Sequence, residues 1–395
     1  MNYILFDDNR WLDLRPLTLT RPVAELRIGI LTIKEKWEKH LKTFCSFKTQ
    51  KYLNGKFKMQ VREDNILING GILPNPQLVE RIQSLNLNEA LCKKGTIIAI
   101  RVSDKYAAVF NDESLDTVVN SEYAGDYLEI YHPWDIFMRN GEALRADYEL
   151  ITAGRISQPL GETNRALCPE NIFIEEGAVV QFAILNASEG PIYIGKHAEI
   201  MENSVVRGPF ALCEHSVLKL STKVYGPVTI GPHSKVGGEV NNSVLQAYSN
   251  KGHDGFLGNS VIGEWCNLGA DTNNSNLKNN YANVKLWSYS KRRFVDTGLL
   301  FCGLIMGDHS KCAINTMFNT GTVVGVSANI FGPGFPRNFI PSFSWGGSGG
   351  LMTFTLPKSF EVAEKAMARR NLILTNEDRS ILEHVFIDTD DFRNF

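Results

Sequence analysis

Aliphatic residues recur at every sixth position through the second half of the chain. Stepping from Ile194 gives Ile200, Val206, Leu212, Leu218, Val224, Ile230 and Val236 without a gap. An α-helix cannot use that spacing, because six residues turn it by about 600° and scatter the side chains around its surface. A coil of three short strands can: three hexads make one turn, each sending an aliphatic residue inward. Gly195, Gly208, Gly226, Gly231 and Gly237 fall near the predicted bends, where a positive φ is expected. The beat stops after Val236, resumes at Phe256, Ile262 and Leu268, and stops again. It returns at Met306, Cys312, Phe318, Val324 and Ile330, while Ile174 and Val180 fit the first coil. The pattern predicts a parallel β-helix. Its two interruptions, 242–255 and 273–300, are the expected places for loops that leave the coils and carry chemistry.

The first half has a different texture. Apolar runs at 2–6 (NYILF), 65–69 (NILIN), 96–102 (TIIAIRV) and 107–110 (AAVF) predict strands. Helical periodicity marks 31–42 (LTIKEKWEKHLK) and 75–85 (NPQLVERIQSL). Strands alternating with helices predict an α/β domain with an open, mostly parallel, Rossmann-like sheet. Residues 132–165 predict a helix and a connecting arm. Beyond the coils, GPGFPRNFIPSFSWGGSGG is dense in Gly, Pro and aromatics and predicts a loop rather than a strand. Two helical stretches, 357–371 and 376–387, follow it and are expected to pack on the last coil. The expected domains are 1–165, 166–345 and 346–395.

Composition narrows the partners. Lys plus Arg number 41 against 43 Asp plus Glu, a formal net charge of -2, so no global field recruits nucleic acid or an anionic membrane. Any anion must be met by local groups. The cysteines are odd in number and form no C-x-x-C pair, which predicts reduced thiols in the core. No apolar run approaches about 18 residues, so no membrane span and a cytoplasmic location are expected.

Residues 250–272, NKGHDGFLGNSVIGEWCNLGADT, place a lone His253 between Gly252 and Gly255. The order of α/β half, hexapeptide coils and histidine loop resembles the bifunctional bacterial family that makes UDP-N-acetylglucosamine. That family joins a sugar-1-phosphate nucleotidyltransferase to a left-handed β-helix acetyltransferase that works as a trimer. Its loop runs K-A-N-H-L-S-Y-L-G, then E-G-V-N-I-G-A-G-T and an asparagine. The resemblance is close over this stretch and looser over 170–335, and it is the resemblance, not the hexads, that implies the left hand. It also implies a homotrimer, acetyl-CoA as co-substrate and an amino-sugar 1-phosphate, glucosamine 1-phosphate, as acceptor.

On this resemblance His253 is the general base: acyl transfer needs a neutral amine, so a group titrating near neutral pH must take its proton. Asn267 and Asn276 match positions that hydrogen-bond the sugar. Phe256 replaces a tyrosine that does so and cannot donate that bond. Asn241 stands where the family has a phosphate-facing lysine, which leaves Lys223, Lys251 and Lys219 as candidate replacements. Ala270 and Arg337 are candidates for binding acetyl-CoA, with the basic run Lys291-Arg292-Arg293 a further candidate for its phosphates. His197, His215, His233 and His309 lie outside the motif and are read as structural.

The resembled nucleotidyltransferases cradle phosphates in a glycine-rich loop and hold Mg²⁺ with an aspartate. Here Phe6 runs into Asp7-Asp8-Asn9-Arg10-Trp11 with no glycine before Gly29, and Asn69-Gly70-Gly71 offers no carboxylate. Arg10, Arg15, Arg21 and Asn69 remain as nucleotide-binding candidates toward UTP or dTTP, the arginines as bidentate phosphate grips. No metal ligand is assigned, and Mg²⁺ enters only with an active first half. Three readings stay open: an N-acetyltransferase with a fused nucleotidyltransferase-like domain, a nucleotidyltransferase whose coils serve assembly, and a non-catalytic nucleotide-sugar-binding scaffold.

Overall fold

The computed structural model describes residues 1–110 and 119–395. They divide into two compact units, one of residues 1–14, 20–26 and 31–132, the other of 15–19, 27–30 and 133–395.

The first unit is an α/β layer. Its strands are β1 (Asn2–Phe6), β2 (Cys45–Lys48), β3 (Asp64–Asn69), β4 (Glu89–Lys93), β5 (Thr96–Ser103) and β6 (Val119–Glu122), in the spatial order β2-β1-β3-β5-β4-β6. The sheet is mixed rather than mostly parallel: β1 runs parallel to β2 and β3, whereas β5 runs antiparallel to β3 and β4. Lys94-Gly95 explains the reversal, since both residues take positive φ (51° and 81°) and turn β4 straight back into β5. The helices are α1 (Arg10–Asp13), α2 (Ile33–Leu41), α3 (Pro76–Gln83) and α4 (Asp104–Val109). A Thr32/Glu35 capping box starts α2, and the Asn75 side chain accepts the Leu78 N–H at the start of α3. The expected strand over 107–110 is instead the end of α4 and the residue after it; two alanines favour a helix, and Ala107 is fully buried.

The second unit is a three-sided parallel β-solenoid, preceded by α5 (Pro133–Thr152) and followed by α6 (Leu356–Ala368) and α7 (Asn376–Asp388). Its faces are sheets of six, nine and ten strands; each of the first six coils gives one strand to each face, and the last strand of the ten-stranded sheet is an antiparallel return. The eight residues from Ile194 to Val236 on the six-residue beat are all buried to 2% exposure or less. Ile194 pairs with Leu212 and Leu212 with Ile230, so each coil takes eighteen residues. Helix α5 lies on the nine-stranded face, and its Asn140 and Asp147 accept the N–H groups of Gly29 and Ile30.

The two interruptions differ in kind. At the first no loop leaves the coil. Ile230 pairs with Leu245, only fifteen residues on, so the coil is short by three. The six-residue step then continues as Leu245, Lys251 and Leu257, all fully or almost fully buried. Lys251 stands where an aliphatic residue was expected, and Leu257 rather than Phe256 points inward. The second interruption is a true insertion: Ile262 pairs with Met306, and between them Lys285–Ser288 and Arg293–Asp296 form an antiparallel hairpin with Lys291 and Arg292 in its turn. The glycine- and proline-rich segment expected as a loop continues the solenoid. Phe339–Ile340 and Ser344–Gly347 pair with the preceding coil, and Gly350–Thr353 folds back on the latter.

Of the bend glycines, only Gly226 has a positive φ. The others answer to crowding: a Cβ on Gly231 would lie 1.7 Å from the Gln246 carbonyl oxygen of the next coil, and one on Gly208 2.2 Å from that of Gly190. Among the left-handed corner residues, His197, His215, His233, Tyr248, Trp265 and His309 have φ between 53° and 61°. Their rings stack in one column with centroids 4.3–6.3 Å apart. This accounts for four histidines without catalysis.

Gly231→Ala is expected to destabilise the second unit by about 3 kcal/mol or more, since backbone cannot yield to the added methyl as a side chain would. Gly349→Ala, where a Cβ meets nothing within 4 Å, is the control and should leave the denaturant midpoint within error.

Candidate functional site

The short coil shapes the site. Between Lys251 on the ten-stranded face and Phe256 on the six-stranded face, the chain turns a corner through Gly252-His253-Asp254-Gly255. Lys251 is 1% exposed, and its ammonium donates to the carbonyls of Gly237 (3.2 Å), His253 (2.8 Å) and Asp254 (3.2 Å). Burial pushes its pKa down to about 8, partly opposed by the Asp254 charge. Lys251 is therefore not a ligand-facing cation, contrary to expectation: its three donors hold the corner that presents His253. The His253 side chain is exposed and has no hydrogen-bond partner among the described residues.

His253 borders a cleft of about 740 Å³ on the ten-stranded face, roofed by the end of α6. Lys235, Asn250, Asn267 and Lys311 are consecutive register partners across four strands of that face, and all line the cleft. Ala270 and Ile314 line it near His253, Tyr248 and Trp265 line it from the stacked column, and Ala366, Arg369 and Arg370 come from the end of α6. Lys219 completes the set of cations. Arg370 donates to the His233 carbonyl at 2.9 Å, and Lys311 to that of His309 at 2.9 Å. Burial pushes the Lys311 pKa down. The Asn250 side-chain oxygen is buried without a partner.

The candidates from the sequence thus sort into groups. His253, Asn267 and Ala270 meet in the cleft, as does Lys219. Round the corner, Asn241, Phe256 and Asn276 gather at Gly258. Asn241 is its register partner, and the Phe256 ring and Asn276 amide would both lie within 3 Å of a Cβ placed there. Lys223 is on the same six-stranded face, two strands from Phe256 through Glu239. Arg337 is exposed and lines no part of the cleft, and Lys291, Arg292 and Arg293 belong to the inserted hairpin. Sequence reasoning missed Lys235, Lys311, Arg369 and Arg370. The first two are outward positions of the hexad register, but α6 carries no motif that says which coil it covers.

In the first unit the nucleotide candidates are engaged by the protein itself. Arg10, 3% exposed, pairs with Asp8 (2.8 Å) and Glu129 (3.4 Å) and lies 4.0 Å from the centre of the Tyr131 ring. The Asn69 amide donates to Asp8 and to the Ile97 carbonyl and accepts from Gly71 N–H. Arg21 is buried. Arg15 falls in the second unit, paired with Asp388 at 3.0 Å. A cleft of about 310 Å³ at the end of β1, lined by Asp7, Asp8, Lys48, Thr49 and Gln50 among others, contains none of the four. Burial raises the Asp7 pKa to about 7, although Thr49 and the Val23 N–H donate to its carboxyl. Mg²⁺ does not fit here: the Arg10 guanidinium already satisfies Asp8 and Glu129, and no group of three or more His, Cys, Asp or Glu among the described residues could hold a metal.

Residues 3–156 match the family model described as sugar nucleotidyl transferase. The chain is 27% identical over 268 residues to a bifunctional sugar-1-phosphate nucleotidylyltransferase/acetyltransferase of Sulfurisphaera tokodaii, covering 67% of this chain and 57% of that protein. It is 26% identical over 286 residues to the bifunctional protein GlmU of Methanocaldococcus jannaschii, covering 69% and 58%. The chain thus spans a little over half the length of these curated relatives. Among solved structures, a UDP-N-acetylglucosamine acyltransferase of Francisella novicida overlaps 58% of this chain and 76% of its own, with 11% identity and a TM-score of 0.31. This chain is a fused protein, in which a segment matching the sugar nucleotidyl transferase family precedes a hexapeptide-type parallel β-solenoid in one polypeptide.

Proposed function

We propose that the second unit transfers an acetyl group from acetyl-CoA to the amine of an amino-sugar 1-phosphate, glucosamine 1-phosphate, with His253 as general base. The observation that carries this is an exposed imidazole, unpartnered among the described residues, at a corner held by a buried lysine, beside a cleft large enough for a small ligand. The donor lies in the cleft with its thioester toward His253, flanked by Asn267 and Ala270. The acceptor approaches from the six-stranded face, where Asn241, Phe256, Asn276 and Lys223 surround its sugar and phosphate. Neutral His253 takes one proton from the ammonium, the amine nitrogen attacks the thioester carbonyl, and as the C–S bond breaks the nitrogen's second proton passes to the departing thiolate, giving the amide and the free thiol. No metal takes part. A homotrimer is part of the proposal, with exposed Leu167, Ile184 and Val205 on the six-stranded face as apolar surface for it. No helix among the described residues is long and apolar enough to cross a membrane, and the proposed location is the cytoplasm.

A second reading, favoured by the family match over 3–156, gives the first unit nucleotidyl transfer from UTP or dTTP to a sugar 1-phosphate. It has to proceed without the glycine cradle and without an Mg²⁺ site of the family's kind. Pyrophosphate release with a panel of sugar 1-phosphates tests it, and none from any pair removes it.

His253→Ala should lower kcat at least about a hundredfold, since a positioned base contributes roughly 10²–10⁴-fold, with circular dichroism and oligomer size unchanged. Thiol release from acetyl-CoA with glucosamine 1-phosphate reads this; an unchanged rate disproves the role. Lys251→Met should lower kcat by about ten- to a hundredfold through displacement of His253, with the KM for acetyl-CoA little altered. Amide exchange at 252–255 should quicken in the same variant. Because the folded Lys251 pKa of about 8 lies below the ordinary 10.5, the unfolded chain binds more protons in that interval, so stability gains with rising pH from about 8 to 10.5. Thermal melts across that range should show the gain in the parent protein and lose it in Lys251→Met.

A further inference from the structure

The six-stranded face stops at Phe256–Gly258, although the coils do not. The next segment in line, Asn273–Asn274, pairs with Met317–Phe318 beyond it, as a separate two-stranded sheet. Up to that point each strand gives the N–H of its first residue to the carbonyl just before the following strand: Val205 to Thr222 (2.8 Å), Lys223 to Gly238 (2.8 Å) and Glu239 to Gly255 (3.1 Å). Asn273 resumes the series by donating to Thr316 at 3.0 Å. Phe256 is the exception. Its N–H goes to the Asn273 side-chain oxygen at 2.8 Å, and the Thr272 carbonyl, next in the series, lies instead 2.2 Å from where a Cβ on Gly255 would be. Two residues on, the Asn274 side chain accepts the Gly258 N–H (2.9 Å) and donates to the Gly258 carbonyl (3.0 Å). A carboxamide carries both an acceptor and a donor, so two asparagine side chains supply what a neighbouring strand's backbone would have supplied. Asn274 is 4% exposed, and Gly303 packs against it where no side chain fits, since a Cβ there would fall 2.2 Å from the Asn274 amide nitrogen.

The exception falls beside the corner that carries His253. Lys251 secures the inside of that corner, and Asn273 secures its exit, joining the Phe256 N–H to the Asp271 carbonyl, to which its own amide donates at 2.9 Å. Continuing at the spacing of the preceding coil would set Ser275 beside Gly258. Ser275 turns away instead: its N–H donates to Phe318 (2.9 Å) and its hydroxyl meets that of Thr320 (2.7 Å). The Asn276 amide comes over Gly258 in its place and donates to the Asn259 side chain at 2.8 Å. We infer that Asn273 and Asn274 are positioning residues for the acceptor: by standing in for a strand they hold Phe256–Gly258 and let Asn276 close over it, so that the sugar is met at a fixed distance from His253. The inference rests on the acetyl-transfer reading and adds to it two residues that act through Phe256 and Gly258 rather than by touching substrate.

The experiment measures acetyl transfer in the parent protein and in Asn273→Ala, Asn273→Asp and Asn274→Ala. Asn273 is exposed, so truncating it opens no core. Asn273→Ala should raise the KM for glucosamine 1-phosphate about two- to tenfold, the effect of one lost hydrogen bond, with the KM for acetyl-CoA and the thermal midpoint unchanged. Asn273→Asp keeps an oxygen for the Phe256 N–H and should return the acceptor KM to within about twofold of the parent. Hydrogen exchange should quicken at Phe256 in Asn273→Ala and at Gly258 in Asn274→Ala. An acceptor KM that stays at the parent value in both alanine variants, or that rises together with the KM for acetyl-CoA, overturns the inference and leaves acetyl transfer standing. So does an aspartate variant that restores nothing. Should the parent show no turnover, the acetyl-transfer reading fails separately, and calorimetry with glucosamine 1-phosphate decides the role of the asparagines. Binding about two- to tenfold weaker in Asn273→Ala and recovered in Asn273→Asp upholds it; equal binding in parent and variant, or none in the parent, overturns it.

Discussion

One buried ammonium holds the corner of the solenoid that carries His253. Stacked coils sit at strand spacing, and every inward position must be filled by a group that satisfies its surroundings. At Lys251 the short coil brings the carbonyls of Gly237, His253 and Asp254 close together on the inside of a tight corner. An aliphatic side chain would leave the Gly237 and His253 carbonyls without that donor, at about 1–3 kcal/mol for each one cut off from water, while the Asp254 carbonyl would keep the Asp271 N–H. Lysine fills the volume with its methylenes and answers the carbonyls with its three N–H groups. The hexad register and the exposed imidazole are therefore linked through one side chain.

The rest of the site follows from where that corner falls. His253 lies between two faces, so groups that approach it from either side need not compete for surface. On one side a regular face carries Lys235, Asn250, Asn267 and Lys311 in line; on the other, Phe256 and Asn276 close over Gly258. A solenoid produces such lines automatically, because outward residues at equivalent positions repeat along its axis. The stacked column from His197 to His309 is the same effect at another corner. Its rings fix the edge of the cleft through Tyr248 and Trp265.

How much of this the sequence revealed depended on whether a feature was periodic. The coils were legible because each inward position repeats at a fixed step, and His253 because its loop resembles a known one. The meaning of the first interruption was hidden. A hydrophobic count treats Lys251 as a break, whereas the fold treats it as a core residue with an unusual head group. The last coil was misread for the opposite reason: glycine and proline suggested a loop, yet Phe343 has a left-handed φ of 56°, as the stacked rings do, and the strand pairing simply continues. The sheet of the first unit came out mixed because a two-residue turn at Lys94-Gly95, with no helix to carry the chain across, dictates an antiparallel pair. Arg369 and Arg370 had no signature at all, since their place over the coils is set by tertiary packing of α6.

The two units also treat positive charge in opposite ways, and the contrast bears on which of them handles anions. In the first, Arg10 is enclosed by Asp8, Glu129 and the Tyr131 ring, so its charge is answered inside the protein. Such a guanidinium orders the end of β1, and a phosphate would have to displace two carboxylates to reach it. In the second, five cations face one cleft with no carboxylate among its lining residues. A charge already paired and buried gains little from a ligand, whereas an unpaired one at the edge of a cleft gains most of what the ligand can offer. Geometry therefore assigns Arg10 to holding the fold of the first unit, and leaves the cleft beside His253 lined by cations that no carboxylate of that lining answers.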